Sequence, residues 1–354
     1  MARIDERTIM FSRISRVKGT KAYEDYYKLH PEHKAFDDGL RALPGMGGDQ
    51  AKFFDTLNSP IVDSTFEFLS DIRGLVEGGV KAENKVEASP EEFTRKLEGL
   101  AKFHGAKLTG VAALDESYYY SYRGRRDEVY GEKVQAHLPY TYVFAVETDL
   151  DYINTAPLLS QSIGVVKGYL DAAMVGMMIA YYIKSLGYEA RNHMDGNYLM
   201  VLPLAAKAAG LGDLGRHGLL VTPEYGSRIR LGAVTTDMPL VISEPSLLNL
   251  EAFCKKCGRC AKFCPAKAIS MDDPKEIDGK ERWQINQELC FKKWADFGSD
   301  CGICMASCPF SLPMAMEDIE AYYNNPEYAN EMLEKYNFGD YRKKLNDDKL
   351  KWLK

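Results

Sequence analysis

All eight cysteines of this 354-residue chain lie between positions 254 and 308, and none precedes them. Disulfide frameworks staple small secreted folds throughout their length, whereas a chain this long buries a core without them. The run Cys254-Lys-Lys-Cys257-Gly-Arg-Cys260-Ala-Lys-Phe-Cys264-Pro265 has the spacing C-x2-C-x2-C-x3-C-P. In that spacing three thiolates hold one 4Fe–4S cluster and the fourth reaches a second cluster. The second set is Cys290 followed by Cys301-Gly-Ile-Cys304-Met-Ala-Ser-Cys308-Pro309, the same run with its first cysteine carried upstream by an inserted loop. The crossing predicts Cys254, Cys257, Cys260 and Cys308 around one cluster and Cys264, Cys290, Cys301 and Cys304 around the other. Paired C-x2-C units also hold structural zinc. Three cysteines in C-x2-C-x2-C and a repeated Cys-Pro ending favour iron and sulfide, and interleaved ligands place the two clusters close enough for a short electron path.

A two-cluster segment needs far fewer residues than this, so the first 250 must do something else. The chain is 45% hydrophobic and 27% charged, as ordinary globular proteins are. A net charge of −6 disfavours a nucleic-acid partner, which selects for basic surfaces. The charged start, Arg3-Ile4-Asp5-Glu6-Arg7, leads into no apolar stretch of the signal-peptide kind, and Arg125-Arg126 lies too deep to serve as a twin-arginine signal. The apolar run Ala172 to Ile183 is shorter than the ~20 residues a bilayer needs and reads as a buried helix. The expectation is a cytoplasmic chain; the alternative is the mature form of an exported, membrane-associated protein whose leader is absent.

Local signals describe an α+β region. Ser89-Pro90-Glu91-Glu92 combines an N-cap, a proline at the first helical position and a capping-box glutamate, opening a helix that stops near Gly105. Leu108–Leu114 and Tyr142–Val146 read as buried strands, Val165–Leu186 as a long apolar helix, and Leu219–Thr222 with Arg228–Thr235 as paired strands around a turn. Gly210-Leu-Gly212-Asp-Leu-Gly215 matches the dinucleotide fingerprint, but a helix precedes it and a strand follows, the reverse of the required order. Its glycines serve tight turns or the close approach of a flat cofactor. The six histidines are scattered without metal-ligand spacing.

The stretch from Ala209 through Arg216-His217-Gly218 and Thr222-Pro223-Glu224-Tyr225 to Leu240 resembles the core of the corrinoid-dependent reductive dehalogenases. Ile4–Arg13, Tyr23–Glu32, Asp37–Pro44 and the displaced-cysteine segment are similar to that family in the same order. The resemblance implies a nitroreductase-like cobalamin-binding core, with no protein histidine on cobalt, followed by a ferredoxin-like two-cluster domain. The expected division is an N-terminal unit (1–90), the corrinoid-binding core (91–250), the cluster domain (251–315) and a C-terminal extension (316–354) read as a surface helix. The implied reaction replaces a halogen of an organohalide with hydrogen, using two electrons and one proton. Tyr169, in Lys-Gly-Tyr-Leu-Asp-Ala, matches the family's proton donor, and Arg228, in Tyr-Gly-Ser-Arg-Ile-Arg, its helper. Gly215, His217 and Tyr225 match corrinoid contacts. The implied partners are an external low-potential donor such as ferredoxin or flavodoxin and a membrane-anchor protein.

Two other readings share some of these features. Epoxyqueuosine reductase is a related corrinoid and iron–sulfur enzyme acting on tRNA, which the acidic balance and the absence of basic–aromatic clusters disfavour. An electron-transfer subunit, with an N-terminal region that only docks a partner, would hold iron and sulfide and no corrinoid.

Overall fold

The computed structural model describes residues 3–246, 248–277, 279–342 and 347–354. Helices α1 (Met10–Ser15), α2 (Lys21–Leu29), α3 (Pro31–Arg41) and α4 (Ser59–Ile72) lead to α5 (Pro90–Phe103) and strands β1 (Leu108–Ala113) and β2 (Tyr140–Glu147). Helices α6 (Leu150–Ile153) and α7 (Leu159–Ser185), strand β3 (Ala190–His193) and helix α8 (Leu202–Ala208) follow. Two short strands, β4 (Asp213–Leu214) and β5 (Leu220–Val221), precede β6 (Ile229–Thr236). The cysteine segment contains α9 (Leu250–Cys257), α10 (Arg259–Phe263), β7 (Lys275–Ile277), β8 (Lys280–Arg282), α11 (Gln287–Phe297) and α12 (Ile303–Ala306). Helices α13 (Met316–Asn324) and α14 (Ala329–Lys335) come after it.

The α+β architecture read from the sequence holds. Four antiparallel strands form the sheet β1-β2-β6-β3. Helix α5 begins as its capping box requires: Ser89 Oγ accepts from the Glu92 N–H, and the Glu92 carboxylate accepts from the Ser89 N–H. Its Phe93, Leu97 and Ala101 join Phe144, Val234, Ile179 and Ile183 in a core between sheet and helices. Each large apolar side chain buried there contributes about 1.5–3 kcal/mol.

Helix α7 begins six residues before the expected Val165, because polar Gln161 and Ser162 are fully buried within it. By length and composition it could cross a membrane, yet 67% of its most apolar window is buried inside the protein, against β6, β3 and α4. Gly168 is the close-approach point with the sheet; a Cβ there would lie 3.2 Å from Arg230 Cβ.

Two expectations are corrected. The strand Leu219–Thr222 does not pair with Arg228–Thr235: β5 pairs with β4, while β6 sits between β2 and β3. Residues 231–236 of β6 are all buried, so it needs a long neighbour on each side, which a two-residue strand cannot be. Nor is the tail a surface extension. Ile319, Tyr322, Ala329 and Met332 pack with Phe253 and Phe310, forming a core under the cysteine segment. At the other end of the chain, buried Arg13 joins Asp37 and Glu288, each at 2.7 Å, and so ties α1 and α3 to α11.

Candidate functional site

The cysteine ligands come from short helices that reverse sharply. Gly258, left-handed at φ 59°, separates α9 from α10, and Gly298 and Gly302, at φ 67° and 69°, bracket the turn carrying Cys301. The thiols gather closely enough to act on one another. Cys308 is pushed up by burial and by the neighbouring Cys254, Cys257 and Cys260. Cys304 is pushed up by burial, then by Cys290 and Cys301, with Cys260 and Cys264 further contributors. Burial also drives Cys254, Cys260 and Cys290 up to about 12 and Cys301 up to about 11. Buried thiols so placed repel one another as thiolates, the form that binds metal, and bound iron cancels that repulsion. The donor set therefore fits iron–sulfur clusters.

Tyr169 projects from α7 into a different space. The carbon of the Arg230 guanidinium lies 3.6 Å from the centre of its ring, and Phe66 of α4 meets the ring edge-on at 5.4 Å. Two cavities of about 330 and 340 Å³ meet here, sharing Phe11, Arg125, Tyr169 and Asp195 in their walls. Phe66, Trp294, Arg73 and Asp300 also line the first. Tyr198, Leu220, Ser227, Arg230, Leu231 and Met305 are among those lining the second. Arg125 pairs with Asp195 at 3.0 Å. Burial raises the Tyr169 phenol, Arg230 opposes that rise, and Asp195 and Asp300 add to it. Burial likewise pushes the Asp300 carboxyl up to about 6.

The arginine beside Tyr169 is thus Arg230, not Arg228. Arg228 lies before β6 begins, where the Thr222–Gly226 turn directs its side chain to the cysteine segment. Its Nε donates to the Ser311 carbonyl at 2.9 Å, and its Nη1 bonds to the Glu147 carboxylate. Gly215, His217 and Tyr225 are also absent from the described walls of both cavities. His217 instead borders the space enclosed by Cys254, Cys257, Cys260 and Cys308, where burial pushes it down to about 4. Gly215 packs against that imidazole, and Tyr225 lies over Arg228 at 5.4 Å.

The site offers a phenolic proton, a cation to steady its phenolate, apolar and aromatic side chains in its walls, and a nearby thiol-rich segment. Sequence reasoning missed Arg230, Arg125, Asp195 and Tyr198. Arg230 had a signal, being two residues beyond Arg228 on a strand whose side chains alternate. Arg125 and Asp195 are brought together across 70 positions of chain and had none.

A family described as a 4Fe-4S dicluster domain matches residues 253–312, the segment that carries all eight cysteines. The tetrachloroethene reductive dehalogenase of Desulfitobacterium hafniense is 32% identical over 270 residues, covering 63% of this chain and 49% of that protein. Its counterpart in Sulfurospirillum multivorans is 30% identical over 257 residues, covering 63% of this chain and 51% of that one. The solved catabolic reductive dehalogenase NpRdhA, in complex with 3-bromo-4-hydroxybenzoic acid, matches with a TM-score of 0.75 and 20% identity over 95% of this chain and 46% of its own. Over these stretches the chain is similar in sequence to tetrachloroethene reductive dehalogenases, and it shares its fold with the solved one. It spans about half the length of the curated relatives it matches. An epoxyqueuosine reductase of Lactococcus garvieae matches less of it, 32% identical over 33% of this chain and 34% of that protein.

Proposed function

We propose that the chain is the catalytic part of a reductive dehalogenase, replacing a halogen of an organohalide with hydrogen. The observation that carries this reading is the Tyr169–Arg230 contact at the junction of two cavities beside the cysteine segment. Cys254, Cys257, Cys260 and Cys308 hold one 4Fe–4S cluster, and Cys264, Cys290, Cys301 and Cys304 the other.

The second cavity suits a corrinoid. Leu220, Leu231 and Met305 offer apolar walls to a flat macrocycle, while Ser227 and Tyr198 can meet its amide fringe. Bound there, a corrinoid supplies the low-potential cobalt chemistry that cleaves carbon–halogen bonds. The chain's own residues do the rest. Phe11, Phe66 and Trp294 hold the organohalide against Tyr169 and keep water away. Clusters held by the eight cysteines would supply the two electrons one at a time, with an external low-potential donor as their source. Carbon gains those electrons, halide leaves, and Tyr169 gives its hydroxyl proton to the carbon. Arg230 stabilises the phenolate left behind, an electrostatic effect strengthened by the dry site. Solvent then returns the proton.

The test is anaerobic reconstitution with iron, sulfide and cobalamin. The expected product holds about eight iron atoms and one corrinoid, and releases halide from an organohalide when given a low-potential reductant. Protein that takes up iron but no corrinoid would be an electron-transfer subunit instead.

A further inference from the structure

Phe66, Ser70 and Arg73 lie on one side of α4 and the tight turn that follows it, and together they wall the 330 Å³ cavity. Their spacing, i, i+4 and i+7, makes that wall about 10 Å long. One end is Phe66, edge-on to the Tyr169 ring; the other is Arg73. The cavity's other arginine, Arg125, is neutralised by Asp195 at 3.0 Å. Arg73 is not. Half-buried, its guanidinium has no hydrogen bond and no contact ion pair among the described residues; the carboxylate that feels its charge, Glu128, is exposed and already paired with Arg126 at 3.5 Å. Its backbone is nonetheless fixed, the carbonyl accepting from Asn197 Nδ2 at 2.9 Å. Gly196, also in the cavity wall, makes room for it: a Cβ there would fall 3.3 Å from Arg73 Nη1.

A cation half out of water with no counter-ion in contact is costly, and a ligand that brings the anion recovers the cost. Phe11, Phe66, Tyr169 and Trp294 give the space between the two ends an aromatic lining. We propose that the substrate is an aromatic organohalide bearing an anionic oxygen group, a carboxylate or phenolate, which Arg73 binds while the halogen-bearing carbon faces Tyr169. The proposal rests on the dehalogenase reading for the halogen; the anion site stands on Arg73. Arg73 here orients the substrate, and the chemistry stays with Tyr169.

Trp294 lines the cavity, so its fluorescence reports occupancy apart from turnover, with Trp294→Phe assigning the signal. In the reconstituted holoprotein, 3-bromobenzoate and 3-bromo-4-hydroxybenzoate are expected to bind on the order of 10–100-fold more tightly than neutral bromobenzene. Arg73→Gln should remove most of that preference. Arg73→Lys, which keeps the charge and loses the planar fork, should restore part of it. In turnover the loss should fall on KM more than on kcat, as for an interaction made equally in ground and transition states. Bromobenzene or tetrachloroethene binding as tightly as the acids would overturn the proposal, as would Arg73→Gln with its preference intact. Halide release separates the two readings. Release from neutral haloalkenes with no preference for acids keeps the dehalogenase and removes the anion site. Arg73-dependent binding of the acids, with no halide released from any compound, does the opposite.

Discussion

Arg230 of β6 lies over the face of Tyr169 of α7, 3.6 Å from the ring centre to the guanidinium carbon, because Gly168 lets helix and strand come together. The relationship bears on both halves of the role proposed for Tyr169, holding a proton and releasing it. Burial raises the phenol, so it stays protonated at neutral pH, and Arg230 opposes that rise. Tyr169→Phe keeps the ring under the guanidinium and removes only the proton. Iron and corrinoid content should be unchanged, and halide release should fall about 10²–10⁴-fold, the usual weight of general acid catalysis. Parental turnover in the replete variant would place the donor elsewhere.

The two arginines of Arg228-Ile229-Arg230 should separate cleanly when each is replaced. Arg230→Gln removes the charge over Tyr169, so kcat should fall, and Arg230→Lys should recover part of it. Arg228→Gln should act on stability instead. It breaks the Nε bond to Ser311 and the pairing with Glu147, at a cost of about 1–3 kcal/mol. Thermal unfolding and halide release per folded holoprotein, measured on all three variants, check this. Arg228→Gln that unfolds normally but turns over slowly would restore Arg228 to the chemistry.

Local chemistry was legible in the sequence and long-range placement was not. The 4Fe–4S segment could be read because cluster geometry dictates ligand spacing over a few residues. The start of α5 could be read because Ser89 and Glu92 satisfy each other's backbone within one turn. The arginine could not be chosen from spacing alone: alternation puts residues 228 and 230 on one face, and only the point where β6 begins sends Arg228 away. The tail misled because charged residues run along its whole length and are as many as the apolar ones. Ile319 and Tyr322, three apart on α13, nevertheless form a stripe that is fully buried.

The proposed crossing of the cysteines makes Cys308 and Cys264 opposite experiments. Cys308→Ser should disturb the cluster held by Cys254, Cys257 and Cys260, and Cys264→Ser the one held by Cys290, Cys301 and Cys304. EPR of each reduced variant should show one altered centre and weakened coupling between the two. Both variants altering the same centre would show that each run keeps its own four ligands.

The last expectation concerns acid and the C-terminal helices. Asp318 accepts from Lys335 Nζ and Tyr328 Oη, each at 2.7 Å, and from the Tyr336 hydroxyl. These bonds, the lysine's foremost, hold its carboxyl down to about 2, against an ordinary 3.8. A carboxylate depressed in the folded state stabilises that state wherever the unfolded chain has also ionised. The contribution is therefore complete above about pH 4 and disappears as pH falls through the folded value near 2. Asp318→Asn should lower stability by a constant amount from neutral pH to about pH 5, and the gap to the parent should close below pH 4. Cluster loss in acid affects both proteins alike, so the difference between them isolates Asp318. Amide hydrogen exchange in α13 and α14 reads the effect where it arises. A gap that stays constant down to pH 2 would mean that Asp318 acts through packing and not through its charge.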